Sequence, residues 1–313
     1  TDMRYIFIVQ ADALEGRPSP VLNKTERAFR EAGKAERTIF AYAENAAEAG
    51  DMAACFSEKY GSECMIFVCG AMEAVHECAA ALSGSDTPMA VLPFGKGFGF
   101  ASKLYGRGAD AETAADRLGL FSGSPAVQIR RIDLGKCCGS IFIDRISFGF
   151  DGVREERSEK LRSKMHIGRS ASSKLGFAAA LAGNKKYALR ADISVSSTAN
   201  GITRKYPIRR DILFSQIVVS NDALPPSADE RGSFKLSLTL PSNFVQLCNV
   251  APMYKMGVED ISDMVRIYRT EGGSFSSPDG EKFPIELDGR LVMTSCAEFS
   301  VIPKALRLCL PLK

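Results

Sequence analysis

The chain has 313 residues, which is more than one typical core and points to two domains. Its 40 basic and 37 acidic residues leave a formal net charge of +3. That balance is too mild to demand nucleic acid, though it suits a basic patch facing an anionic ligand or membrane surface. No apolar run approaches the ~18 residues needed to span a bilayer, so membrane contact is expected to be peripheral at most.

The opening TDMRYIFIVQAD lacks a basic region followed by an apolar segment and a cleavage site. It reads as a first strand, 4–10, near the start of a mature cytoplasmic chain. A helix is expected over 23–34 with a glycine stop, then a strand over 37–42. Residues 45–61 place Ala49, Met52, Ala53, Phe56 and Tyr60 on one helical face, and Gly61 ends the run. A third strand, 64–69, is apolar throughout, as expected when both faces are covered. A helix over about 72–82, a strand over 88–93 and a short helix within 95–106 complete the pattern. Strand-helix alternation of this kind predicts an α/β domain with a doubly wound, mostly parallel sheet over 1–125.

After residue 126 the pattern changes to short, partly alternating, β-branched runs separated by Gly, Pro, Asn and Asp. These predict an antiparallel, sandwich-like β-rich domain over 126–300, interrupted by a helix near 172–183. The tail 301–313 is expected to pack back on the first domain. Residues 153–170 are dense in charge and read either as a solvated helix or loop, or as a basic flap near a ligand. Nine cysteines, no C-x-x-C pair and two histidines predict free thiols in a reducing compartment rather than a zinc site. His76 is expected at the surface or half-buried, and His166 solvated.

Several stretches, in order, resemble the diacylglycerol kinase and sphingosine kinase family of lipid kinases, in particular its soluble bacterial members. VLPFGKGFGFASKL (91–104) is similar to the family's lPlGTgNDFArsL, and IDLGKCCGSIFIDRISFGFDG (132–152) to its strand and GfdA region. SSKLGFAAALAG (172–183), IELDGRLV (285–292) and FSVIPKALRLCLP (299–311) match later framework segments. The resemblance implies a nucleotide-binding α/β domain followed by a β-rich lipid-binding domain. It also implies ATP and magnesium as cofactors, and a lipid or small phosphorylated ligand as partner.

The departures fall on the chemistry. The family's NP motif after the first strand would lie near Gln10-Ala11 and is absent. Its GGDGT loop falls on Gly70-Ala71-Met72-Glu73-Ala74, without aspartate or hydroxyl. In the next loop the Thr, Asn and Asp positions hold Lys96, Phe98 and Gly99. The acidic cluster of the second domain maps onto Glu230-Arg231-Gly232 and Lys235, and the glutamate of DGE is Arg290. A DGE at 279–281 lies too early and reads as a turn. Phosphoryl transfer needs donors around the phosphates, a metal to spread charge and a positioned base. Magnesium prefers carboxylates and water, and adjacent glycines let backbone N–H groups reach phosphate oxygens.

Those losses predict lost or much reduced ATP-dependent transfer, with nucleotide, phosphate or lipid binding retained in the cleft between domains. The alternatives are an active ATP:lipid phosphotransferase with altered catalytic residues, and a lipid- or anion-binding module. The candidate cofactor-binding residues are Gly70, Gly95, Lys96, Gly97 and Gly99. Lys96 could take over part of magnesium's role at a helix start, although a tight turn with a solvated lysine explains it equally well. Asp288 is the surviving match to a catalytic position, set against its alternative as an Asp-Gly hairpin turn. No residue is assigned to a metal.

Overall fold

The computed structural model describes residues 3–14, 19–94, 99–165, 169–183, 187–199, 202–221, 232–241, 243, 245–246, 248–250, 253 and 261–312. In chain order the early elements are β1 (Arg4–Gln10), α1 (Pro20–Glu31), β2 (Thr38–Ala43), α2 (Ala46–Tyr60), β3 (Cys64–Gly70), α3 (Met72–Ala81), β4 (Met89–Pro93), α4 (Gly99–Tyr105) and α5 (Ala111–Arg117). There follow β5 (Val127–Cys137), β6 (Ser140–Phe142), β7 (Arg145–Gly149), α6 (Phe150–Met165) and α7 (Arg169–Gly183). The later strands are β8 (Tyr187–Ala199), β9 (Ile202–Phe214), β10 (Gln216–Ser220), β11 (Phe234–Thr239), β12 (Val265–Ser276), β13 (Phe283–Leu287), β14 (Arg290–Thr294) and β15 (Cys296–Pro311).

The chain divides into two compact units, Thr1–Leu134 with Ile302–Lys313, and Gly135–Val301. The first is α/β. Its strands run parallel in the order β4–β3–β1–β2, with Ile6 opposite both Ile39 and Ile66, and Val68 opposite Val91. Leu308 of β15 pairs in parallel with Met89 of β4. Every residue of β3 is buried, as its unbroken apolar run requires, whereas Tyr42 on the edge strand β2 is exposed. Helix starts follow local chemistry. Ser19 accepts the Leu22 N–H with Pro20 in the first turn, Asn45 accepts the Glu48 N–H, and Asp110 accepts the Thr113 N–H. Of the predicted face of α2, Ala49 and Ala53 are buried, and Phe56 and Tyr60 stack on each other half-buried.

The second unit is built on antiparallel strands in the order β14–β13–β7–β10–β11–β12–β15, with β8 paired to β12 and β9 to β8. β12 carries an irregularity between Thr270 and Gly273, where its partnership with β8 shifts register. Phe148, Phe234, Phe275 and Phe299 form an aromatic core into which β8 sends Leu189, Ala191, Ile193 and Val195. The charged segment beginning at 153 lies largely within α6, which packs on α7. The Arg157 guanidinium donates to the Ala179 carbonyl. At Gly176 an added Cβ would sit 2.8 Å from the Arg154 carbonyl oxygen, so only glycine allows this approach. Among the described residues no helix is long and apolar enough to cross a membrane.

Candidate functional site

The strand-helix junction at Gly70 is closed by its own neighbours. β3 ends at Gly70, and Ala71 caps α3 without a side-chain hydrogen bond of its own. The cap comes from β1 instead: the Ala71 N–H donates to Gln10 Oε1 at 2.9 Å. The Gly70 carbonyl accepts the Phe94 N–H at 3.0 Å, and the Ala71 carbonyl accepts the N–H groups of Ala74 and Val75. Gln10, 3% exposed, lies so close that a Cβ on Gly70 would stand 2.7 Å from its Oε1. Gly70 is glycine because a side chain lies over it. A neutral acceptor here does locally what an anion does at other helix starts, and it leaves one fewer donor for a ligand.

Of the other candidate cofactor residues, Gly95, Lys96 and Gly97 lie outside the described residues, as does Phe98. Gly99 opens α4, where an added Cβ would meet nothing within 4 Å. Phe100 is wholly buried on that helix, and the Tyr105 hydroxyl donates to the Val91 carbonyl at 2.7 Å. These contacts fix α4 on β4. His76, expected at the surface or half-buried, is buried at 3% exposure on α3, because that helix is covered along most of its circumference. His166, Glu230 and Arg231 lie outside the described residues, while Lys235 sits on β11.

Asp288 is placed by a hairpin. It lies between β13 and β14 with φ 47°, followed by Gly289 at φ 84°, the two-residue geometry that Asp-Gly favours. Its carboxylate turns inward and is 1% exposed. Oδ2 accepts the Ile143 N–H at 2.7 Å, and Oδ1 accepts the N–H groups of Asp144 and Arg145 at 3.0 and 2.9 Å. Both oxygens are therefore engaged in holding the β6–β7 connection. The Asp279-Gly280-Glu281 segment is an exposed turn, with Asp279 Oδ1 accepting from the Ser277 hydroxyl and the Glu281 N–H.

Beside Asp288 lies a cluster of buried carboxylates and half-buried arginines whose assembly sequence reading missed. Arg145 Nε stands 3.6 Å from Glu286 Oε2, and the Gly289 N–H donates to Glu286 Oε1 at 2.6 Å. Arg154 Nη1 lies 3.1 Å from Asp151 Oδ1, and Gln216 Nε2 donates to Asp151 Oδ2 at 2.6 Å. Burial raises the Glu286 carboxyl above its ordinary range, against the opposing pull of Arg145. Burial by itself would lower Arg145. Glu286, Asp151, Asp144 and Asp288 outweigh it and hold the guanidinium protonated. Asp151 and Arg154 carried a signal, an acid and a base three apart at a helix start. Glu286 carried none, since alternation places it opposite in facing to the buried Ile285 and Leu287, yet all three are buried.

Helices α6 and α7 also border a cavity of about 190 Å³, lined by Arg154, Ser173, Lys174 and Phe177. Arg154 thus both pairs with Asp151 and lines this cavity, and its Nε is buried with no hydrogen-bond partner among the described residues.

No protein-family model matches the sequence, and no curated protein matches it. Solved structures do. One from Bacillus anthracis str. Sterne, described as "a putative diacylglycerol kinase", is 15% identical with a TM-score of 0.63, covering 98% of this chain and 95% of that one. A second from the same organism, described as one of its diacylglycerol kinases, is 14% identical with a TM-score of 0.59, covering 97% and 96%. The expected likeness to lipid kinases is thereby met in architecture: over nearly its whole length, the chain has the fold of these diacylglycerol kinase structures.

Proposed function

We propose that this chain is a lipid-kinase-like protein in which ATP-dependent phosphoryl transfer is lost or much reduced. The observation that carries the reading is the hydrogen bond from the Ala71 N–H to Gln10 Oε1 at 2.9 Å. A phosphate loop works by offering unengaged backbone N–H groups at a helix start. Here the first such group is taken, and the side chain that takes it covers Gly70. The described residues do not fit a magnesium-bound triphosphate. Ala71, Met72 and Ala74 bring no oxygen ligand, and Glu73 would oppose the phosphates with like charge. Asp288, the remaining catalytic candidate, has both oxygens committed to three backbone donors. The test is turnover of ATP by purified protein with diacylglycerol in mixed vesicles. No magnesium-dependent formation of phosphorylated lipid is expected, and such formation would overturn the proposal.

A second reading, binding of a small anion at a place other than the one expected from the sequence, is favoured by the α6–α7 cavity. Three of its four described lining side chains are polar, which favours a polar occupant over an acyl chain. Lys174 supplies positive charge there, Arg154 adds N–H donors beyond those it gives Asp151, and Ser173 a hydroxyl donor. Thermal stabilisation by inorganic phosphate, equal with and without magnesium and lost in Arg154→Ala, is the expected result. Absence of stabilisation by phosphate, ADP or ATP would refute it.

A further inference from the structure

In the second unit the thiols of Cys137 and Cys138 lie against each other and beside the backbone of a third cysteine, Cys296, and no part of the proposed function uses them. β5 and β6 are joined by Cys138-Gly139, closed by the pair Cys137 and Ser140. Cys138 has φ 50° and Gly139 φ 80°, a turn in which both central residues are left-handed. A non-glycine residue in that conformation is uncommon. The turn swings the two side chains together: the buried Cys137 thiol donates to Cys138 Sγ at 3.6 Å. Cys138 Sγ in turn lies 3.9 Å from the carbonyl oxygen of Cys296, at the start of β15. The Cys296 backbone is itself held by Thr294, whose hydroxyl accepts the Cys296 N–H at 3.1 Å and donates to its carbonyl at 2.6 Å. Cys138 and Cys296 are both exposed, while Cys137 is not.

We infer that Cys138 is a peroxide-reactive thiol and that Cys296 is the thiol that resolves it to a disulfide. The buried Cys137 is a positioning residue. It keeps its own proton and donates it to the neighbouring sulfur, which favours the Cys138 thiolate. That hydrogen bond, opposed by burial, brings Cys138 down to about 7, while the same bond and burial push Cys137 up. In the first step the Cys138 thiolate attacks one oxygen of hydrogen peroxide. An S–O bond forms, the O–O bond breaks, and hydroxide leaves to take up a proton as water; sulfur is oxidised and peroxide reduced. In the second step the Cys296 thiolate attacks the Cys138 sulfenic sulfur. The S–S bond forms, the S–O bond breaks, and the departing hydroxide takes the proton that Cys296 gave up. An external dithiol reverses the sequence.

A thiol titrating near 7 is about half thiolate at pH 7, roughly 16-fold more than an ordinary cysteine titrating near 8.5. Its lower basicity costs about fivefold in intrinsic nucleophilicity, which leaves a net advantage of about threefold. The test uses the intact reduced protein, treated at pH 7 with equimolar hydrogen peroxide and analysed by peptide mapping. Expected are loss of two hydrogens per chain, a crosslinked Cys138–Cys296 peptide, and alkylation of Cys138 about threefold faster than of an unstructured cysteine peptide. In Cys296→Ser the reaction should stop at a Cys138 sulfenic acid that a carbon-nucleophile probe captures. Oxidation of Cys55, an exposed thiol on α2, as fast as Cys138, or a Cys137–Cys138 link in place of Cys138–Cys296, would overturn the assignment.

Discussion

Replacing Asp288 separates its two candidate roles. If it holds the β6–β7 connection, Asp288→Ala removes the acceptor from three backbone N–H groups at 2.7, 3.0 and 2.9 Å, in a side chain that is 1% exposed. A hydrogen bond to a charged group contributes about 1.5–3 kcal/mol net, and a stranded buried donor costs about 1–3 kcal/mol. The three losses share one site and are not additive, because water enters and the turn relaxes. Alanine must also adopt the left-handed backbone that Asp288 occupies at φ 47°, at roughly 1 kcal/mol. The expected loss is about 3–5 kcal/mol. Asp288→Asn keeps one acceptor oxygen and tolerates the backbone, but turns an amide donor toward one N–H; about 2 kcal/mol is expected.

Urea unfolding followed by circular dichroism reads the loss. Native-state hydrogen exchange localises it, with the amides of Ile143, Asp144 and Arg145 exchanging on the order of 10²–10⁴-fold faster in the alanine variant. A catalytic carboxylate would behave in the opposite way, with activity lost and stability kept. Unchanged urea midpoints together with unchanged exchange at these three amides in Asp288→Ala would refute the structural role.

The junction and the buried cluster yield two more predictions. Gln10→Ala strands the Ala71 N–H and opens space over Gly70, so a loss of about 1–2 kcal/mol in unfolding free energy is expected; Gln10→Glu, which keeps the acceptor, should lose less, and equal stability of all three proteins would contradict the cap. Because burial raises Glu286 above its unfolded value, the folded chain holds more protons at that site, and its contribution to stability falls as pH rises above the ordinary carboxylate range near 4.5. Urea midpoints from pH 5 to 8 should carry this downward component in the wild type and lack it in Glu286→Gln; identical pH profiles would show that Glu286 does not titrate differently on folding.

Local chemistry determined a large part of this protein from the sequence. The unbroken apolar run of β3, the cap at Asn45 and the glycine after α2 encode α/β alternation within a few residues of where it occurs. Short β-branched runs likewise announced the antiparallel strands, because side-chain period and turn residues are local properties. The missing aspartate and hydroxyl at Gly70–Ala74 were legible for the same reason. α5 went unread, since seven alanine-rich residues carry too little periodicity to distinguish a helix from a loop.

Tertiary structure alone decided which side chains meet at these positions. That Gln10 of β1 covers Gly70 of β3 follows from parallel pairing of strands far apart in the chain. That Asp288 serves three amides at 143–145, and that Arg145 stands against Glu286, follows from β13 pairing with β7. The Cys138 thiol and the Cys296 carbonyl approach each other across a similar gap in sequence. Hydrogen bonds and ion pairs act over a few ångströms, and the residues within that reach are set by strand order and register, which no local pattern records.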